Sequence, residues 1–215
     1  MLVIGAKGHA KELLDILEKN NMSESLFFFD DTGVNIETDL YGKYPILRSI
    51  EEVKRWDASN KIFALGIGNP KVRFRMTNLF KNLGWQLTSV IANDAQIGNH
   101  NVQLGDGVNV MHRVFISNDV MIGEGTLINA GVLIHHNVSI GKFCEISPGV
   151  CLTGGIKVGD FSFIGAHSVI TPKVNIGAYS IVGAGSVVIR DIPPHTTAVG
   201  VPASVIKIAN PHDAL

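Results

Sequence analysis

The stretch Leu127-Ile128-Asn129-Ala130-Gly131-Val132-Leu133-Ile134-His135-His136-Asn137-Val138-Ser139-Ile140-Gly141-Lys142-Phe143-Cys144-Glu145-Ile146 places isoleucines six residues apart, at 128, 134, 140 and 146. The spacing holds in both directions. An aliphatic residue stands at every sixth position from Leu104 through Val110, Ile116 and Ile122 to Val188, fifteen in succession. Two more columns keep the phase. The residue after each anchor is often glycine or small and polar (Gly105, Ser117, Gly123, Asn129, Gly141), and the fourth after it is small or branched (Val108, Thr126, Cys144, Ser162, Ser186). Ile91 and Ile97 share the spacing upstream, with one extra residue before Leu104. A period of six fits neither a 3.6-residue helix nor a sandwich with irregular turns. It fits a coil of short flat faces, each face one strand about 4.8 Å from the copy above it. The anchors stack inside, and glycine and asparagine absorb the backbone conformations of the corners. Such a solenoid buries its core only by stacking repeats.

Over roughly 91–208 the chain resembles the left-handed parallel β-helix acyltransferases with hexapeptide repeats. The tail Asp191-Ile192-Pro193-Pro194, followed by Gly200-Val201-Pro202-Ala203, is similar to that group as well. The left hand is what the resemblance implies, since crossovers between parallel strands favour the right hand. With three hexads per turn, again by resemblance, the anchors supply five turns that no large loop interrupts.

The first ninety residues read differently. Leu2 to Ile4 form an apolar run closed by Gly5-Ala6-Lys7-Gly8-His9-Ala10, and Leu13, Leu14 and Leu17 follow with helical spacing. Leu26 to Phe29 make a second strand ending at Asp30-Asp31. Ile50 and Val53 suggest a helix, and Ile62 to Leu65 a third strand closed by Gly66-Ile67-Gly68-Asn69-Pro70. Met76, Leu79, Phe80 and Leu83 mark one more helix, and Leu87 to Ile91 leads into the repeat. Alternating strands and helices predict a small Rossmann-like α/β domain over 1–91, followed by the all-β coil over 92–215. The Gly5–Ala10 loop opens a helix whose amides suit a phosphate. Asp30 follows about twenty residues on, where a dinucleotide fold places its ribose-binding acid. The loop lacks the full G-x-G-x-x-G spacing, and an ordinary strand-to-helix turn reads the same way.

A glycine-His loop, an Asp pair after the second strand and a Gly-Asn after the third, placed before a hexapeptide coil, resemble the sialic acid O-acetyltransferase-like family of sugar acyltransferases over nearly the whole chain. The nearest resemblance is to members that N-acetylate nucleotide-linked 4-amino sugars. It implies that Gly8 and His9 contact the phosphates, Asp30 and Asp31 the base or ribose, and that Gly68 and Asn69 close the pocket. An Asp pair after a strand is also simply a turn.

Acetyl transfer from a thioester needs a proton acceptor, a donor for the carbonyl oxygen and alignment of two substrates. Histidine is the usual acceptor near neutral pH. Eight are present: His9 in the loop, His100, His112, His135, His136 and His167 in the coil, and His195 and His212 in the tail. His136 stands second after anchor Ile134, the phase of the family's catalytic histidine, and the resemblance makes it the general base; the plain alternative is a solvated corner. His135 is one position off and reads as a neighbour or trimer contact. Some relatives place a glutamate directly after this histidine, where this chain has Asn137. Asparagine accepts a hydrogen bond but supplies no charge, so either the base is less polarised or a different acid serves, Glu145 being one candidate. The resemblance also assigns Asn129 to the sugar, the amide of Gly154 to the acetyl carbonyl, and Ala166, Gly183 and Gly185 to the pantetheine arm of acetyl-CoA. It implies a homotrimer with each active site between two coils.

Composition agrees. The chain has 215 residues, 46% apolar and 17% charged, with 23 glycines and a net charge of −1. No basic footprint points to nucleic acid, and no apolar run reaches the roughly 20 residues of a membrane span. Met1 to Gly5 already reads as a strand, which leaves no room for a signal peptide and predicts a cytoplasmic protein. Two cysteines make no disulfide framework. His112 and His136 lie 24 residues apart, not a multiple of 18, so they do not share a corner and no metal is expected. Three functions are weighed. The first is acetyl-CoA-dependent N-acetylation of a nucleotide-linked 4-amino-6-deoxy sugar. The second is O-acetylation of a sugar hydroxyl, and the third a non-catalytic β-helix scaffold.

Overall fold

The computed structural model describes residues 1–33, 37–56 and 61–208; His212 lies outside them. The N-terminal unit runs β1 (Leu2–Ile4), α1 (Gly8–Lys19), β2 (Phe27–Phe29), β3 (Asp39–Leu40), β4 (Tyr44–Leu47), α2 (Ile50–Arg55), β5 (Ile62–Leu65), α3 (Pro70–Asn82) and β6 (Gln86–Leu87). The sheet order is β3-β4-β2-β1-β5-β6, parallel except at β3, which turns back on β4 as a hairpin. Short strands buried on both sides read as the apolar runs LVI, FFF and IFAL. Val3, Phe28 and Ala64 face α1, whereas Leu2, Ile4, Phe29, Phe63 and Leu65 face α2 and α3. The β3–β4 hairpin is the one element not anticipated. Pro45 and the two-residue length of β3 hide it from pattern reading.

The coil is a left-handed parallel β-helix with three faces. Face one holds Val90–Ile91, Asn109–Val110, Leu127–Ile128, Glu145–Ile146, Phe163–Ile164 and Ile181–Val182. Face two holds Gln96–Ile97, Phe115–Ile116, Leu133–Ile134, Cys151–Leu152, Val169–Ile170 and Val187–Val188. Face three holds Gln103–Leu104, Met121–Ile122, Ser139–Ile140, Lys157–Val158 and Asn175–Ile176. Successive strands on a face are 18 residues apart, except across the extra residue before Leu104 (Ile91 to Val110 is 19). The first strand is Val90–Ile91, so the last two residues of the 1–91 unit already belong to the coil. The anchors form one continuous core column. The hydroxyls inside are all bonded: Thr126, Ser162 and Ser168 donate to the carbonyls of Gly141, Gly177 and Gly183 at 2.8–2.9 Å. Those bonds offset the desolvation that a buried hydroxyl otherwise incurs. A hairpin (Thr196–Gly200 with Ala203–Ile208) closes the top.

The two units share one interface. Val90, Asn109 and Leu127 point outward from face one, yet are only 1–2% exposed because the N-terminal unit covers them. Leu127 and Met111 join the α1 core.

Candidate active site

Gly5, at φ +103°, brings the β1–α1 loop against the loop after β5, where an added Cβ would meet the Gly66 carbonyl oxygen at 2.6 Å. The packing turns the α1 N-terminus toward a cavity of about 250 Å³ lined by Ala6, Lys7, Gly8, Lys11, Asp30 and Glu37, with Leu40 and Ile46 as its floor. A Cβ on Gly8 would meet nothing within 4 Å, so the helix amides are open to this space.

Several expected ligand contacts are committed elsewhere. Asp30 Oδ2 accepts from the Ala6 amide at 3.3 Å, while Oδ1 accepts from the Thr32 amide and hydroxyl at 3.0 and 2.6 Å. Its carboxylate therefore ties the two loops together; Asp31 is exposed. His9 turns into the domain interface, not into the cavity. Its Nε2 lies 3.3 Å from Asn109 Nδ2 and its Nδ1 3.5 Å from Glu12. Asn109 also donates to the Leu65 carbonyl at 2.6 Å. Burial pulls the His9 imidazole below its ordinary range, against the raising influence of Glu12. Asn69 caps α3, its Oδ1 accepting from the amides of Lys71 and Val72 at 3.0 and 3.2 Å. Gly68 faces Glu145, whose Oε2 would be 3.9 Å from an added Cβ.

Glu145 is not beside His136. It lies on face one, 4.0 Å from the guanidinium of Arg73, whereas His136 is on the edge between faces two and three. Arg73 is fully buried. It donates from Nε to the Gly125 carbonyl at 2.9 Å, from Nη2 to that of Cys144 at 2.7 Å, and from Nη1 to that of Gly68. Burial lowers its pKa to about 10, partly countered by Glu145. Burial likewise raises Glu145, with Arg73 opposing. Sequence reading missed Arg73, although it shares a helical face with Met76 and Phe80.

Each coil edge repeats one turn. The first corner amide bonds to the rung above and the third to the rung below, as in His135 to Leu152 and Asn137 to Asn118. The second residue's amide, missing at Pro148 and Pro172, points outward. Among the described residues, the amides of His136 and Gly154 have no hydrogen-bond partner. His136 is exposed, and its Nδ1 lies 2.8 Å from Asn137 Oδ1. The amide oxygen selects the tautomer with hydrogen on Nδ1 and leaves Nε2 as a free acceptor. Asn137 sits at φ +59°, a left-handed conformation that asparagine adopts readily. One rung above, a Cβ on Gly154 would fall 2.6 Å from His136 Cε1, so only glycine leaves the imidazole in place.

Asn129, Ala166, Gly183 and Gly185 lie on a different edge, between faces one and two. Asn129 borders a second cavity of about 430 Å³ with Lys11, Glu12, Asp15, Met111 and His112. There His112 bridges the units, Nδ1 2.8 Å from Asp94 and Nε2 3.3 Å from Asp15. Gly185 is open, but Gly183 is glycine because a Cβ would strike Val199 Cγ1 at 2.7 Å, so its bare backbone serves packing.

Residues 1–80 match the model of the PglD N-terminal domain, and 119–154 and 155–190 that of the bacterial transferase hexapeptide (six repeats). A histidine-to-asparagine mutant of perosamine N-acetyltransferase from Caulobacter crescentus, solved in complex with CoA and GDP-perosamine, is 30% identical. The match covers 96% of each chain at a TM-score of 0.87. The chain belongs to the hexapeptide-repeat sugar acyltransferases. Two further structures of this kind align over 95% of this chain and 98% of their own. WeeI from Acinetobacter baumannii is 28% identical with a TM-score of 0.88, and the acetyltransferase domain of PglB from Neisseria gonorrhoeae is 26% identical with 0.87. No curated sequence matches the chain. As a sugar acyltransferase, the protein places its exposed imidazole and bare amide at one coil edge. No helix among the described residues is long and apolar enough to cross a membrane.

Proposed function

We propose that this chain transfers an acetyl group from acetyl-CoA to the amino group of a nucleotide-linked 4-amino-6-deoxy sugar, as a homotrimer with its active sites between subunits. The observation that carries the reading is the stack at the second edge: Gly154 bare above His136, and Asn137 holding the ring with Nε2 free. The relative solved with CoA and GDP-perosamine supports both ligands. In this reading residues 1–91 hold the nucleotide sugar and 92–215 the acetyl donor, in the cytoplasm.

Acetyl-CoA would bring an acetyl group already activated as a thioester. His136 Nε2 accepts the proton that the attacking amine gives up, and Asn137 keeps the Nδ1 proton aligned. The outward amide of Gly154 donates to the acetyl carbonyl oxygen as charge develops there. On the sugar side, the α1 N-terminus at Gly8 with Lys7 and Lys11 receives the diphosphate, and Asn129 meets the sugar in the adjoining cavity.

Face two supports the trimer. Above Gln96 at its foot, its outward column reads Phe115, Leu133, Cys151, Val169 and Val187, with Leu133 41% and Val169 37% exposed. Face three carries Gln103, Ser139, Lys157 and Asn175 with one apolar residue, Met121, among them. Burying face two around a threefold axis sets the edge of Asn129, Ala166 and Gly185 of one copy against the His136–Gly154 edge of the next. The separated candidate residues then form one site.

A thiol-release assay over a panel of nucleotide-linked amino sugars and sialic acid tests the reaction. Release with the amino sugars alone is expected. Release with hydroxyl acceptors alone would establish O-acetylation, and no binding of acetyl-CoA at millimolar concentration would establish the scaffold. Sedimentation equilibrium is expected to give three times the 23.1 kDa chain mass.

A further inference from the structure

We infer that the cavity at the α1 N-terminus selects a guanine nucleotide, with Glu37 reading the base edge. The inference deepens the proposed function and rests on its assignment of a nucleotide to this domain.

Strand order sets the direction in which a nucleotide lies. Passing outward along the carboxyl edge of the sheet from β1, the cavity wall meets Gly8 at the α1 N-terminus, Asp30 after β2, Ile46 on β4, and then Leu40 and Glu37 of the hairpin. Phosphate belongs at the helix end. The base then reaches the hairpin end, where Leu40 and Ile46 give a flat ring an apolar floor.

The acid that a dinucleotide fold would offer the ligand, Asp30, is only 6% exposed and already accepts from Ala6 and Thr32. Glu37 is exposed, lines the same cavity, and has no hydrogen bond or ion pair among the described residues. A carboxylate offers two parallel acceptors. Guanine presents two parallel donors, N1–H and N2–H, which match it in the bidentate manner. Uracil and thymine present a single N–H between two carbonyl oxygens, and those oxygens would face the carboxylate's negative charge. Adenine has one donor beside an acceptor. Only guanine satisfies Glu37 on both oxygens, and such pairs discriminate well between bases.

Calorimetric titration of the full chain with GDP, IDP, UDP and dTDP tests this. GDP is expected to bind at least about tenfold more tightly than UDP or dTDP, and IDP, which lacks the 2-amino group, to be several-fold weaker than GDP. Glu37→Gln is expected to remove most of the GDP preference. UDP or dTDP binding as tightly as GDP, or unchanged discrimination in Glu37→Gln, overturns the role of Glu37 while leaving the nucleotide domain standing. Binding of none of the four overturns the nucleotide assignment itself.

Discussion

The second and third edges of the coil have the same backbone and opposite fates. Both turn through a left-handed third position, Asn137 on one and Phe143, Phe161 and Tyr179 on the other, at φ between +51° and +59°. On the third edge those rings stack, Phe143–Phe161 at 5.5 Å and Phe161–Tyr179 at 5.0 Å between centroids, with Tyr179 on His195 above. Phe74 of α3 packs edge-on against the lower pair, and Arg73 and Lys81 reach across to Gly125 and Glu124. The edge is thereby closed. Among the described residues the second edge has no helix docked on it, and its imidazole and spare amide face outward. Backbone geometry supplies an outward donor at each corner whose second residue is not proline, as Pro148 and Pro172 are; what lies over the corner decides whether that donor is available for chemistry.

Breaking the open edge has the largest expected effect. His136→Ala is expected to lower turnover by a hundredfold or more, roughly 10²–10⁴, in the thiol-release assay, with an unchanged melting curve. A near-normal rate would remove His136 as the base. Breaking the closed edge acts on stability instead. Arg73→Met strands the carbonyls of Gly125, Cys144 and Gly68 and leaves Glu145 without its cation, for a loss of about 3 kcal/mol in denaturant unfolding. An unaffected midpoint would show that the aromatic stack alone holds α3. Gly154→Ala sharpens the contrast, since its Cβ must displace the His136 ring. Turnover is expected to fall about tenfold or more through misplacement, with folding retained. The smallest effect belongs to the first edge, where the hydrogen bond with His112 leads in holding the Asp94 carboxyl below its ordinary 3.8. A depressed carboxylate stabilises above its unfolded pKa and loses that contribution as pH falls through the folded value. Asp94→Asn is therefore expected to lower Tm slightly at pH 7, with the difference closing below about pH 4.

The coil was legible because its period is a geometric constant. An anchor such as Ile146 is inside for the same reason as Ile128 eighteen residues before it, and the second position after Ile134 had to be an outward corner. Residue roles in the α/β unit are not periodic. Asp30 and Asn69 sit where ligands are expected, yet their oxygens close a loop and cap a helix, which depends on folds of the chain that spacing does not encode. Glu145 failed as partner to His136 for a countable reason. Nine residues are half a rung, which puts it on another face. Arg73 drew no reading from the sequence, although its spacing to Met76 and Phe80 is that of the buried side. Asn109 had a signal too, in the apolar residues Val90 and Leu127 at the same outward phase.

The rung is also a ruler. The N-terminal unit is fastened at the levels of Val90, Asn109 and Leu127, and every later residue stands at a set height above that base, one graduation of about 4.8 Å for each eighteen residues. In the proposed trimer, the gap between the unit assigned to one reactant and the imidazole of a neighbouring copy is thus fixed by counting, not by loop adjustment. Adding or removing a whole turn changes it by one graduation, so that reading expects acceptors of a different reach to need a coil with another number of turns.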